Sequence, residues 1–424
     1  MRVLHIVTGL GIGGAEQQLR LLVRHLPASC ESEVVTLTNP GPVADGLRAD
    51  GVRVTHLGMG GNRDLAALPR LTALIRAGRY DVVHTHLYRA CVYGRIAARL
   101  AGVRAVVATE HSLGDSQIEG RPLTRGTRAL YRGTERLGVG TVAVSATVAR
   151  RLREWGVPEE RIHVVPNGID PDRFRFDPAV RAAARARLGF SERTFVIGGV
   201  GRLVPGKNVD MLVRALPAVP AARLLVVGTG PEHDHLLRLA RSLGVAPRVH
   251  LVGAAGGRDG AGVMPELPAL LAAMDVFVSA SREESFGLAM VEALAAGLPV
   301  LHMACPAIED LPPAAAPGAR RIGTDVRDLV AALHTHYARH TGPHAGHDAG
   351  ARRLPVPAAV DSYHIARTAE RVHALYAAAT GTGPGPGPGL GAGTGTGTGT
   401  GTAVSEDIPA VTASPAGSPA GLKK

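Results

Sequence analysis

Aromatic residues are scarce in this chain: Phe, Trp and Tyr together make up 3% of it, with a single Trp. So little ring surface leaves no row of stacking platforms for single-stranded nucleic acid, and no nucleic-acid partner is expected. Cysteine is rarer still. Cys30, Cys91 and Cys305 are odd in number, far apart and never in a CxxC pair. That excludes a disulfide framework and a zinc knuckle, and it fits a reducing cytoplasm. Long hydrophobic runs are missing too. No uncharged stretch reaches the roughly 20 apolar residues of a membrane span. The apolar run in MRVLHIVTGLGIGG is too short for a signal-peptide core. Acidic residues are in deficit, 36 against 47 basic, for a net charge of +11. Such a balance favours anionic partners, among them membrane surfaces and phosphorylated substrates.

What is present is apolar and periodic. The 424 residues are 45% hydrophobic, enough for two to three domains with sizeable cores. Short β-branched runs at Arg2–Thr8, Glu33–Leu37, Val52–His56, Val82–His84, Ala105–Thr109 and Thr141–Val144 alternate with helical stretches. The pattern closes at the turn-rich NGIDPDRF (Asn167–Phe174). It resumes with strands at Thr194–Val200, Arg223–Val227, Val249–Val252, Val276–Ser279 and Pro299–His302. Strand–helix alternation implies parallel sheets covered on both faces. The fold class is therefore α/β, with two Rossmann-like domains facing across a cleft. A last helix is expected over Asp361–Ala379, with Ile365, Thr368, Ala369, Val372 and Leu375 on one stripe. From Thr380 the Gly/Thr/Pro-rich composition cannot offset its ordering entropy, and a disordered tail is expected. The boundaries are 1–185, 186–358, 359–379 and 380–424.

Several motifs could carry chemistry. Gly9 to Gly14 satisfies GxGxxG after a strand, a weak dinucleotide signal and also a cradle for any anion at a helix N-terminus. Arg202 and Lys207 lie in GRLVPGKN between a strand and a helix. Lys207, expected at the helix start, is badly placed there unless an anion is bound. Glu284 and Glu292 flank the start of a helix expected from Leu288, and a carboxylate there can accept two hydrogen bonds from a ribose diol. His111 follows the Ala105–Thr109 strand at its carboxyl end, where open α/β sheets bind ligands; His84 and His86 are at the same edge. Asp170-Pro171-Asp172 matches a metal-holding DxD triplet, but after an Asn-Gly turn it reads as a turn, and no metal site is expected. His334, His336, His340, His344 and His347 read as a solvated loop. Arg121, Arg125, Arg128, Arg132 and Arg136, with apolar residues between, fit either a solvated face or a basic helix at a membrane surface.

Taken together these residues resemble a family. GLGIGGAE, Thr109-Glu110-His111, PNGID (Pro166–Asp170), VGRLVPGKN (Val200–Asn208), VGTGPE (Val227–Glu232) and ESFGLAMVEALAAGLPV (Glu284–Val300) are similar to motifs of the retaining GT-B glycosyltransferases. That family, family 4-like, includes phosphatidylinositol mannosyltransferases and bacterial polysaccharide glycosyltransferases. The resemblance covers Met1–Ala379. It implies an acceptor-side domain at 1–185 and a nucleotide-sugar domain at 186–358. The implied reaction is retaining hexosyl transfer from a UDP- or similar nucleotide-diphosphate sugar to a sugar or lipid-linked acceptor, without cofactor or metal. His111, Arg202, Lys207 and Glu284 would be catalytic. Gly13, Gly14, Arg202, Lys207, Glu284, Phe286, Gly287, Leu288 and Glu292 would bind the donor. Cytoplasmic placement, peripheral at the inner membrane face, is expected from the cysteine usage and the Arg121–Arg136 cluster. The chain departs from it at Cys305-Pro306-Ala307-Ile308-Glu309, where relatives carry Gly-Gly-x-Pro-Glu, and in its long Gly-rich segment Gly253–Pro265. A nucleotide-sugar 2-epimerase of the same architecture, an NAD oxidoreductase and a sugar-nucleotide sensor stand as alternatives.

Overall fold

The computed structural model describes residues 1–61, 64–114, 117–119, 121–256, 258–259, 262–263, 265–341 and 353–382. Most of the Gly/Thr/Pro-rich tail, His344 and His347, and parts of the Gly253–Pro265 segment lie outside the described residues.

Seven parallel strands build the first sheet: β1 (Arg2–Val7), β2 (Glu31–Thr36), β3 (Arg53–His56), β4 (Val82–His86), β5 (Ala105–Glu110), β6 (Gly140–Ala143) and β7 (Ile162–Val164). They run in the order β3-β2-β1-β4-β5-β6-β7. Helices α1 (Gly14–His25), α2 (Gly41–Ala49), α3 (Ala67–Gly78), α4 (Tyr88–Leu100), α5 (Arg125–Glu135) and α6 (Ala146–Glu154) connect them. The central strands are buried on both faces, so their sequences read as largely apolar runs. Buried polar residues break that pattern at His5 in β1, at Thr109 and Glu110 in β5, and in β4 most of all. Its VVHTH is wholly buried, and two histidines enter the core with it.

The chain crosses over through α7 (Pro178–Leu188), which Asp177 caps by accepting from the Ala179 N–H at 2.7 Å and Gly189 ends in the left-handed region. The second sheet has six parallel strands: β8 (Phe195–Val200), β9 (Ala222–Val227), β10 (Val249–Leu251), β11 (Val276–Ser279), β12 (Val300–His302) and β13 (Ala319–Arg321). Their order is β10-β9-β8-β11-β12-β13. Helices α8 (Asp210–Ala215), α9 (His233–Ser242), α10 (Leu267–Ala273), α11 (Leu288–Ala295), α12 (Pro306–Glu309) and α13 (Val326–Thr341) accompany it. In each sheet the order reverses once beside the first strand of that sheet. Crevices at the carboxyl ends of β1/β4 and of β8/β11 are therefore the ligand edges.

Three sequence expectations are corrected here. The final helix is two: α14 (Ala358–Ser362) and α15 (Ile365–Thr380), split at Tyr363. The expected stripe of α15 is buried, but against α1, β4 and β5, so the C-terminal helix returns to the first sheet. Arg121 stands outside the basic helix, in a two-residue strand, because Thr124 caps α5. The histidines of α13 are no loop: His334 and His340 pair with the Ala218 and Arg193 carbonyls. No helix among the described residues is long and apolar enough to cross a membrane.

Candidate active site

The β8/β11 crevice gathers the second domain's charged residues. After β8, Gly201 and Arg202 lead into a single 3-10 turn, Pro205–Lys207. Asn208 then takes a left-handed φ of 52° before α8 begins at Asp210. Lys207 is thus not the start of a helix, and the helix-dipole argument for an anion beside it does not hold. Its charge is met otherwise: the Lys207 Nζ lies 2.5 Å from the Glu284 Oε1, in the loop that follows β11. Both side chains are mostly covered, at 28% and 14% exposure, so the pair sits at the mouth of the crevice rather than in bulk water.

Glu284 opens the loop that ends on Gly287. Gly287 has φ 105°, and a Cβ there would stand 2.6 Å from the Cys305 sulfur and 2.7 Å from Met290 Cε. Only glycine makes that turn into α11. The ring of Phe286, one of the expected donor contacts, is buried and meets Tyr363 edge-on at 5.0 Å. An apolar ring gains more from the interior than from a polar crevice, and the Phe286 carbonyl accepts from the Ala307 N–H at 2.9 Å. Glu292 is half-buried one turn into α11. Burial pushes its carboxyl up to about 7, and Arg173, from the 3-10 turn Pro171–Phe174, pulls the other way. Asp172 of the DxD triplet is exposed and paired with Arg175 at 3.1 Å.

The first domain reaches across. Gly14 lies against Leu288, whose Cδ1 would be 3.4 Å from a Cβ at that position. A Cβ on Gly13 would run into the carboxylate of Glu16. Glu16 itself, in the first turn of α1, has its carboxyl raised by burial; Arg202 of the other domain lowers it and Glu119 raises it further. The Ser145 hydroxyl, which caps α6, donates to the Ser285 carbonyl at 2.7 Å. Arg151 donates to the carbonyls of Leu113 at 2.9 Å and Glu284 at 3.3 Å. Thr147 binds Asp310 at 3.0 Å. The Gln117 amide reaches the Glu283 carboxylate at 3.3 Å. The loop carrying Glu284 is thereby held from both domains.

His111 lies just beyond β5, with its Nε2 3.2 Å from the Nδ1 of His86. Desolvation lowers its pKa to about 4, so the ring is neutral at physiological pH. Its neighbour Glu110 turns inward beside Cys91, and burial raises that carboxyl to about 7. The arrangement thus joins Lys207 with Glu284, and Gly14 with Leu288. It sets Arg202 against Glu16 and Glu292 against Arg173. Sequence reading did not single out Glu16, Ser145, Arg151 or Arg173. Only Glu16 carried a usable signal, as an acid in the first turn of a helix behind a Gly-rich loop.

The family model for Glycosyltransferase Family 4 matches residues 12–173, and that for Glycosyl transferases group 1 matches residues 194–338. The chain is 35% identical over 277 residues to the GDP-mannose-dependent alpha-(1-6)-phosphatidylinositol monomannoside mannosyltransferase of Mycobacterium tuberculosis, spanning 61% of this chain and 67% of that one. It is 33% identical over 331 residues to D-inositol 3-phosphate glycosyltransferase 1 of Catenulispora acidiphila, spanning 70% and 76%. Among solved structures, Anabaena Alr3699/HepE in complex with UDP and glucose superposes with a TM-score of 0.72 at 21% identity, over 88% of this chain and 98% of that one. WaaG, a glycosyltransferase involved in lipopolysaccharide biosynthesis, gives 0.64 at 18% identity over 88% and 99%. These two likenesses bear on the fold.

Proposed function

This chain belongs to Glycosyltransferase Family 4, and on that premise we propose that it moves a hexosyl group from a nucleotide-diphosphate sugar to a hydroxyl acceptor with retention at the anomeric carbon. It is a glycosyltransferase of the GT-B type that draws on a nucleotide-sugar donor. The relatives named above are transferases, which disfavours the epimerase and oxidoreductase readings. GDP-mannose is named for the mycobacterial relative and UDP for the Anabaena structure; the base used here is left to the binding screen below.

The observation that carries the residue assignment is the Lys207–Glu284 pair at the β8/β11 crevice. A cation and a carboxylate held together there suit a donor with an anionic diphosphate beside a polyhydroxylated sugar. In this reading Lys207 and Arg202 take the diphosphate, Glu284 turns to the sugar hydroxyls, and Glu292 accepts from the ribose diol. Gly13, Gly14, Gly287 and Leu288 line the approach. His111 contacts the sugar near the reacting carbon. The anomeric C–O bond breaks, and its electron pair goes to the diphosphate oxygen. The acceptor oxygen bonds to the anomeric carbon from the same face, and its proton passes to the departing phosphate. The positive groups stabilise the charge that develops on the leaving group, so the step needs no metal.

The acceptor proposed is lipid-linked or a polysaccharide precursor, approached from an anionic membrane surface through α5. A thermal-shift screen of UDP- and GDP-sugars, followed by mass spectrometry with lipid-linked and soluble acceptors, tests the assignment. An α-configured product from an α-configured donor, read by NMR, supports retention. A β product overturns it, and conversion of the donor to its epimer without acceptor overturns transfer itself.

A further inference from the structure

We propose that His86 and His5 are positioning residues: with His111 they form a buried line of three imidazoles that fixes the tautomer and ring orientation of His111. Strand pairing sets up the line. β1 and β5 both pair with β4, and the registers His5↔His84 and Thr109↔His86 put His5, His84, His86 and Thr109 on one face. His111, two residues beyond Thr109, continues that side. The His5 Nδ1 is 3.2 Å from the His86 Nε2, and the His86 Nδ1 is 3.2 Å from the His111 Nε2. Both pairs of rings are near-parallel, at 27° and 26°.

Burial holds all three rings neutral. A neutral imidazole has one N–H and one bare nitrogen, so each ring must donate in the same direction along the line. Two arrangements exist, and they differ at the ends. His5 Nε2 and His111 Nδ1 are the end atoms, and neither has a protein partner among the described residues. Their surroundings differ. A small cavity of about 20 Å³ lies against His86 and His111, lined by aliphatic side chains of Leu and Val together with Gln18, Thr109, Asn167 and Thr368. The Gln18 amide has no partner on either its oxygen or its nitrogen. The N–H belongs at the His111 end, which shares its cavity with the unpaired Gln18 oxygen, since an orphaned buried N–H at His5 is costly. His5 therefore donates through Nδ1 to His86, His86 donates through Nδ1 to His111, and His111 keeps its proton on Nδ1. His84 stands outside the line: its two nitrogens are engaged by Tyr376 Oη at 2.6 Å and Thr109 Oγ1 at 2.7 Å.

The consequence for catalysis rests on the reading of His111 as the ring that meets the donor sugar. A ring tied through Nε2 to His86 keeps one orientation there without reorganising during the reaction. The test labels the full chain with ¹⁵N-histidine and reads the His111 ring nitrogens by long-range ¹H–¹⁵N correlation, without substrate. The expected wild-type spectrum shows His111 as a single neutral tautomer protonated at Nδ1. His86→Leu should convert it to a mixture, while His84→Leu, an equally buried change, should not. His86→Leu should also lower kcat by about tenfold or more with the donor KM within about twofold, the signature of misplacement. A wild-type His111 protonated at Nε2, or exchanging between tautomers, overturns the proposal even if the variants fail to fold. So does equal disturbance by His84→Leu and His86→Leu. Stoichiometric metal in the purified protein also overturns it, since His5, His84 and His86 are spaced to share an ion. His111→Ala with unchanged activity would instead remove the catalytic role of His111 and leave the tautomer result standing.

Discussion

The ammonium of Lys207 and the carboxylate of Glu284 lie 2.5 Å apart, although 77 residues separate them in the chain. Each thus holds the other where a charged substrate would otherwise find it alone. Both are partly exposed, so the pair should contribute little to stability, about 1 kcal/mol or less. Its weight should fall on the reaction. Lys207→Ala should keep its melting temperature and lose on the order of 10²–10³ in kcat, more than it raises the donor KM. Lys207→Arg should recover part of that loss. Arg202→Ala should behave alike, and the double variant should lose less than the product of the two, because both act on one diphosphate. Initial rates against donor concentration, with folding checked by circular dichroism, read all of these. A folded Lys207→Ala with near wild-type kcat removes the diphosphate from this loop.

Glu292 gives a pH dependence with a definite sign. Its carboxyl is raised from 4.5 to about 7 by burial. Between those values the folded chain holds a proton that the unfolded chain has lost. The stabilisation is full below 4.5 and is lost as pH rises through 7. Donor binding runs the opposite way, because the ionised form is the better acceptor for a diol. Affinity should therefore rise from pH 6 to pH 8. Glu292→Gln should flatten both profiles, melt no lower than wild type at pH 8, and weaken the donor by roughly 1.5–3 kcal/mol. Calorimetry at several pH values decides. An unchanged donor affinity in the variant sinks the ribose assignment.

Transfer should continue in EDTA. Asp172 is already matched by Arg175, and Arg202 and Lys207 supply the positive charge at the crevice. A complete loss of activity that Mg²⁺ restores would show that Asp170 and Asp172 hold an ion after all.

Helix α5 should bring the protein to anionic membranes. Arg125, Arg128, Arg132 and Arg136 are exposed, and Leu130 among them is 49% exposed. Each arginine near an anionic surface is worth about 1 kcal/mol. Co-sedimentation should be strong with phosphatidylglycerol-containing vesicles, weak with phosphatidylcholine, and reduced by Arg125→Glu with Arg132→Glu. Equal, negligible binding to both vesicles counts against it.

Removing 383–424 should leave the melting temperature and transfer nearly unchanged. α15 ends at Thr380 with Gly381 as its left-handed cap, and Thr382 returns a backbone bond to Ala377 at 2.9 Å. A cut after Thr382 preserves that cap. A cut before Tyr376 should be damaging, since it removes the hydroxyl bound to His84. A large drop on removing 383–424 alone would mean that the segment packs somewhere.

The sequence by itself determined the layout. Buried parallel strands need apolar runs on both faces, and such runs at Leu224–Val227 and Phe195–Ile197, set between amphipathic helices, declare themselves without coordinates. The Gly-rich and Glu-bearing loops were legible for the same reason: a turn such as Gly287 admits one residue type. Tertiary structure alone decided who meets whom. Lys207 looked like a helix-start cation until Glu284 came to it from another strand end. Nothing local to Phe286 announces Tyr363, which covers its ring. His5 read as a strand residue and His86 as a candidate at the ligand edge, and only the β1-β4-β5 pairing lines them up with His111. Helix α15 showed its buried stripe plainly, but a periodic stripe states that a face is covered and not by what. Local pattern encodes burial and turn geometry, which depend on neighbours in sequence. Partners across a crevice depend on strand order and domain closure, which no local window contains.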